Sequence, residues 1–194
     1  MGFPSPGLES GLSMQIEATG IAGVLILRPK RFEDPRGFFA PVFREADMQA
    51  AGVTHGWVQE NQSRSVRKGT VRGMHFQMPP FAQAKLVRVV RGVALDVCVD
   101  IRKDSPSFGR HVAVELSADN LASVYVPAGF AHGFCALTAN CEILYKVSTG
   151  YAPEAEGGVR WNDPALGIAW PVTDEEAMLS DRDRQLPLLA DLAL

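Results

Sequence analysis

Between Trp57 and Ser148 the chain is a succession of short runs: WVQENQSR, TVRGMHF, KLVRVVRG, ALDVCVDI, HVAVELS, SVYVP, FAHGFCALT and CEILYKVS. Gly, Pro, Asn or Asp separates each from the next. Runs of this length, rich in β-branched and aromatic residues, form strands, and the intervening turn-formers fold them back on one another. Several alternate with period two, as Leu95, Val97 and Val99 do against Asp96, Cys98 and Asp100. Others alternate weakly, which marks strands buried on both faces. So many short strands call for a sandwich or barrel, because closure removes the unpaired edges of an open sheet. The pattern predicts an all-β fold with short flanking helices.

The flanking segments are less regular. Residues 1–13 (MGFPSPGLESGLS) are rich in Gly, Ser and Pro and read as a flexible lead, with 14–194 forming a single domain. VLIL at 24–27 predicts a first strand closed by Pro29. Asp34-Pro35-Arg36-Gly37 is turn chemistry, and 38–43 reads as a continuing strand. Residues 45–51 favour a short helix stopped by Gly52. After Gly150 the texture is loop-like, and the tail is expected to form a helical turn or two. Its apolar end is expected to pack on the barrel or on a second subunit.

The formal net charge of -3 argues against a general nucleic-acid-binding surface. No apolar stretch approaches the ~20 residues that span a bilayer, and no basic segment followed by an apolar core opens the chain. Cys98, Cys135 and Cys141 sit in apolar runs without a CxxC pair. They read as buried free thiols of a reducing compartment, so a cytoplasmic protein is expected.

Chemistry concentrates in 57–91. His75 lies in a strand with Arg72 and Lys85 close in sequence. Arg72 and His75 differ by three positions, so a regular strand aims them at opposite faces; a bulge at Gly73 would turn both inward. Lys85 alone reads as a snorkelling edge lysine, and Tyr145, in EILYKV, as a core residue. His132, in PAGFAHGF, reads equally as a core histidine or a cavity residue. A metal-binding barrel would need a second imidazole beside His75, but Phe76 and Gln77 follow it. His75 and His132 alone make a poor metal shell, so no metal is expected. There is no Cys–His neighbour pair, G-x-S-x-G or Gly-rich phosphate loop. A bound phosphate would depend on Arg36, Arg64, Arg67, Arg72, Arg88 or Arg91.

The ordered motifs FEDPRGFF, VQENQSRS, VRGMHFQ, KLVRVVRG, VDIRKDSPSFG, VPAGFAHGF, EILYKVSTGYAPEAEGGVRWNDPALGIAWP and LSDRDRQLPLL span about 21–190. Together they resemble the dTDP-4-dehydrorhamnose 3,5-epimerase family. The resemblance implies a cupin jelly-roll barrel working as a homodimer without metal or organic cofactor. The implied reaction inverts C3 and C5 of dTDP-4-dehydro-6-deoxy-glucose through enolates of the C4 ketone. By motif, His75 resembles the base and Asp183 of LSDRD its carboxylate partner; the spacing before PLL favours Asp183 over Asp181. Tyr145 resembles the acid on the opposite face, and Lys85 the group steadying the enolate oxygen. His132 matches a residue near the sugar, and Arg72 a pyrophosphate contact. Arg36, Gln59, Glu60 and Asn61 match nucleotide-side positions, with Arg36 reaching in from a neighbouring strand or subunit, and Phe39 matches a substrate-binding one. Glu156 and Arg182 match substrate-loop positions. Pro41 departs from the pattern, standing where the family commonly carries a substrate-contacting glutamate.

Three other readings compete. A relative could invert only C3 or only C5, or act on another dTDP-4-ketosugar. A non-catalytic cupin could merely bind nucleotide-sugars, and a metal-dependent cupin could act as an oxygenase or isomerase.

Overall fold

The computed structural model describes residues 14–193, so the expected N-terminal lead over 1–13 lies outside the described residues. The strands are β1 (Met14–Ala18), β2 (Leu25–Pro29), β3 (Phe32–Asp34), β4 (Gly37–Phe39), β5 (Gln59–Ser65), β6 (Val71–Gln77) and β7 (Lys85–Arg91). They continue as β8 (Val93–Asp100), β9 (His111–Ser117), β10 (Ser123–Val126), β11 (Phe130–Ala136), β12 (Cys141–Val147) and β13 (Glu156–Gly158). Two short helices, α1 (Glu45–Ala50) and α2 (Asp181–Arg184), flank them. A six-stranded sheet in the order β1-β2-β10-β7-β12-β5 faces a five-stranded sheet in the order β13-β6-β11-β8-β9. The named strands pair antiparallel throughout, and the result is the expected jelly roll.

Three apolar layers explain the weak alternation. Val87, Val89, Val124, Val126 and Ile143 of the six-stranded sheet meet Ala94, Cys98, Phe130 and Phe134 of the other between the sheets. Met74, Phe76, Val97, Val99 and Ala131 point outward, but Val159, Leu166 and Leu189 of the C-terminal segment cover them. Outside the six-stranded sheet, Leu27, Leu86 and Tyr125 pack under Met48 of α1 and Val53. Every residue of β11 is buried as a result. The apolar tail therefore packs on its own barrel.

The ends of the chain hold the corrections. The first described strand is Met14–Ala18 rather than 24–27; it pairs along β2, with Glu17 bound to Arg28. The strand expected over 38–43 stops at Phe39, where its partner β3 runs out. Residues 153–158, read as loop, contain a short 3-10 turn and then β13, which finds a ladder partner in β6.

The bulge expected at Gly73 is present. His132 pairs with His75 and Phe134 with Arg72, so one strand advances two residues while the other advances three. Gly73 has φ 115, and a Cβ there would lie 2.7 Å from both Gly133 Cα and His132 O. A Cβ on Gly133 would lie 2.6 Å from Arg72 O. Only two facing glycines let the strands approach this closely, and the extra residue puts Arg72 and His75 on one cavity wall.

Candidate active site

The site is built around His75. Its Nε2 lies 2.7 Å from Asp183 Oδ1, a contact spanning 108 residues of chain. Ser180 caps the N-terminus of α2 by accepting from the Asp183 N–H, and the Gly73 N–H donates to Asp183 Oδ2 at 3.4 Å. The imidazole is 30% exposed and the carboxylate 6%, so the base faces the cavity while its partner is shielded. Burial opposes ionisation of Asp183, yet hydrogen bonds from His75, Gly73 and Ser180 hold its carboxyl below the ordinary value. An ionised Asp183 can only accept, so His75 donates its Nε2–H to it and Nδ1 is left as the basic nitrogen.

Lys85 stands at the start of β7, buried, with Nζ donating to His75 O at 3.3 Å. Burial lowers its pKa to about 8, while the charges of Asp96 and Glu156 pull it upward. It therefore remains largely an ammonium at neutral pH. Tyr145 projects from β12, across the barrel from His75. Burial raises its pKa and Glu156 adds to the effect, while Arg72 opposes it, so the phenol keeps its proton. His132 Nε2 binds Asp96 at 2.9 Å, both residues being buried.

These groups line a two-lobed cleft. One lobe, of about 550 Å³, takes in Ser63, Thr70, Arg72, His132, Met178 and Arg182. The other, of about 330 Å³, is bounded by Gln59, Asn61, Gln77, Gln83, Tyr151 and Glu156. His75, Lys85 and Tyr145 line both lobes and so mark their junction. Arg182 binds Glu156 at 2.7 Å, joining α2 to β13 beside the base.

Some expected residues are not brought together. Glu60 lies between Gln59 and Asn61 on β5, so the pleat turns it to the opposite face, where it pairs with Lys146 at 2.9 Å. Arg36 and Phe39 sit on the exposed β3–β4 hairpin, outside the cavity lining; Arg36 is paired with Asp34. Of the arginines considered for phosphate, only Arg72 lines the cleft; Arg88 points to the outer face of the six-stranded sheet and Arg64 bonds Asn140.

Two contributors escaped the sequence reading. Asp96 is visible only as the polar member of an alternating strand, and its face of β8 turns in between the two sheets beside Ala94 and Cys98, behind His132 rather than on the cleft wall. Gln77 occupies the place where a metal-binding barrel would need an imidazole. Its amide instead donates to Phe81 O and Gly150 O and accepts from the Ala152 N–H, pinning the loops around the second lobe.

Residues 18–191 match the family model described as dTDP-4-dehydrorhamnose 3,5-epimerase. The chain is 48% identical over 179 residues to the dTDP-4-dehydrorhamnose 3,5-epimerase of Sinorhizobium fredii, covering 92% of this chain and 91% of that one. Among solved structures it is similar to a dTDP-6-deoxy-D-glucose-3,5-epimerase from Legionella pneumophila in complex with dTDP-4-keto-L-rhamnose. That likeness has a TM-score of 0.87 and 41% identity, with 92% of this chain and 94% of the other covered. It is also similar to a 3'-monoepimerase from Streptomyces bikiniensis in complex with dTDP-quinovose (TM-score 0.81, 42% identity, 89% and 86% covered).

Proposed function

The chain belongs to the dTDP-4-dehydrorhamnose 3,5-epimerase family, and from that premise we propose that it inverts C3 and C5 of dTDP-4-dehydro-6-deoxy-D-glucose, giving dTDP-4-dehydro-L-rhamnose. The supporting observation is that His75 and Tyr145 rise from opposing sheets onto the junction of one cleft, with Asp183 on the imidazole. Inversion at carbon needs a base on one face of the ring and an acid on the other.

His75 Nδ1 takes the proton from a carbon next to the C4 ketone, and the resulting imidazolium is stabilised by Asp183. The electron pair moves onto the C4 oxygen, where the Lys85 ammonium meets the developing charge. Tyr145 then delivers its proton to the opposite face of the same carbon. Solvent removes the proton from His75 and restores the one on Tyr145, and the cycle repeats at the second carbon. No redox partner is required. Arg72 binds pyrophosphate, His132 the sugar, Gln59 and Asn61 the nucleotide, and Glu156 with Arg182 the loop side of the substrate.

The working unit in this reading is a cytoplasmic homodimer in which the β3–β4 hairpin lends Arg36 and Phe39 to the partner's cleft. Phe38 and Phe39 are 49% and 59% exposed in the single chain, and Phe32 lies against Phe39. Exposed aromatic rings of this kind suit burial in an interface.

Incubation with dTDP-4-dehydro-6-deoxy-D-glucose in deuterated water, followed by NMR, tests the assignment. Deuterium at both C3 and C5 with the L-rhamno product is expected. Deuterium at one carbon only would replace it with the single-carbon reading, the activity named for the Streptomyces bikiniensis protein.

A further inference from the structure

Two imidazole–carboxylate pairs stand next to each other on the cavity wall. His132 of β11 is the register partner of His75 of β6. Each presents Nε2 to a carboxylate, His75 to Asp183 and His132 to Asp96. Asp96 differs from the other buried carboxylates of the barrel. Asp100 accepts from the Arg102 backbone and guanidinium and from Ser105 and Ser107. Asp163 accepts from the backbone N–H groups of Ala165 and Leu189. Asp96 is 1% exposed, and its Oδ1 is one of two buried side-chain polar atoms among the described residues without a hydrogen-bond partner.

A carboxylate held in an apolar interior with one hydrogen bond needs positive charge nearby. The ionisable groups facing this part of the cleft are His132 of β11, His75 and Arg72 of β6, Lys85 of β7, Tyr145 of β12, Tyr151, Glu156 of β13, and Arg182 and Asp183 of α2, with the Cys98 thiol, kept protonated by burial and by Asp96, behind them on β8. Of the influences that keep Lys85 charged against its burial, Asp96 is the larger and Glu156 the smaller.

We propose that Asp96 is a positioning residue for the epimerisation: its Oδ2 fixes the His132 imidazole with Nε2–H turned inward and Nδ1 free as an acceptor, and its negative charge is the interior counterweight of the Lys85 ammonium. The assignment rests on the reaction proposed above and deepens it. An enolate is stabilised at C4 only if the amine beside it carries its proton before the carbon acid ionises. Without Asp96, Lys85 would hold its proton less firmly near pH 7, and His132 would be free to adopt the other tautomer.

Asp96→Asn conserves shape and removes the charge. The alkaline limb of kcat/KM should move down by about 1 pH unit or more, the scale of a lost neighbouring charge. At pH 7, kcat should fall severalfold while dTDP affinity is retained. A fall in kcat with the limb unmoved would overturn the proposal, because a purely structural residue would do the same. Two NMR measurements read Asp96 without turnover. The 15N titration of Lys85 Nζ, assigned by its disappearance in Lys85→Arg, should shift down in Asp96→Asn. The His132 imidazole of the unaltered protein should carry its proton on Nε2; a proton on Nδ1 alone would overturn the proposal even if the variant failed to fold. Because neither needs substrate, they separate this assignment from the reaction itself, which the deuterium experiment tests.

Discussion

At the scale of single residues, the chemistry is a division of labour set by environment. Asp183 is ionised because it collects hydrogen bonds, Tyr145 is protonated because it is buried, and Lys85 is poised because burial and nearby carboxylates oppose each other. Asp183→Asn should lower kcat by about 10²-fold or more, the scale of one general acid–base contribution. dTDP binding measured by calorimetry should survive, and its loss would make the aspartate a structural residue. Tyr145→Phe should lose epimerisation on a similar scale yet still exchange substrate protons with deuterated solvent, since abstraction belongs to His75. Exchange vanishing together with turnover would contradict that separation. The ammonium form of Lys85 is the active one, so raising the pH removes it. kcat/KM should decline above about pH 8, and a Lys85→Met variant should lack that limb in its pH profile. The sequence contained these residue types and, through the resemblance, their roles. It could not supply their ionisation, which depends on neighbours distant in the chain.

At the scale of elements, strand parity decides who faces the cleft. The sequence offers Gln59, Glu60 and Asn61 as one contiguous set, but the pleat of β5 puts Glu60 on the other side, so the motif is split between two faces. The bulge in β6 does the reverse, bringing Arg72 and His75 to one wall despite their odd spacing. Gly73→Ala should reduce stability by roughly 1–3 kcal/mol, the usual cost of forcing atoms into a filled space, and lower activity with it. Gly20→Ala, where nothing lies within 4 Å of the added carbon, is the control. Urea midpoints compare them, and equal midpoints would mean that β6 and β11 can separate without loss. Gly73 could be suspected from sequence because an isolated glycine in a strand signals a bulge. Its partner Gly133 could not, because only the β6–β11 ladder brings them together.

At the scale of the whole molecule, the two facing sheets give the reaction a shielded cleft, and the C-terminal segment completes it. That segment covers the outer face of the five-stranded sheet and carries α2 back to β6 with Asp183. The exposed β3–β4 hairpin leads to an expectation for the assembled protein. His75→Ala and Arg36→Ala proteins should each be impaired alone. If Arg36 serves a partner's cleft, co-refolding them should restore about a quarter of the wild-type sites, the share expected from random pairing in a two-fold dimer. No recovery would mean that the hairpin serves its own chain or none. The sequence by itself determined the all-β class, the central strands and the set of chemical groups, because alternation, turn residues and side-chain type are local properties. Only the tertiary structure decided that the polar face of β8 turns in between the sheets, that Asp96 holds His132, that Glu60 turns away and that the tail closes over its own barrel. Those outcomes depend on which strand lies beside which and on which face is enclosed, and register and enclosure are properties of paired strands that no single stretch of chain contains.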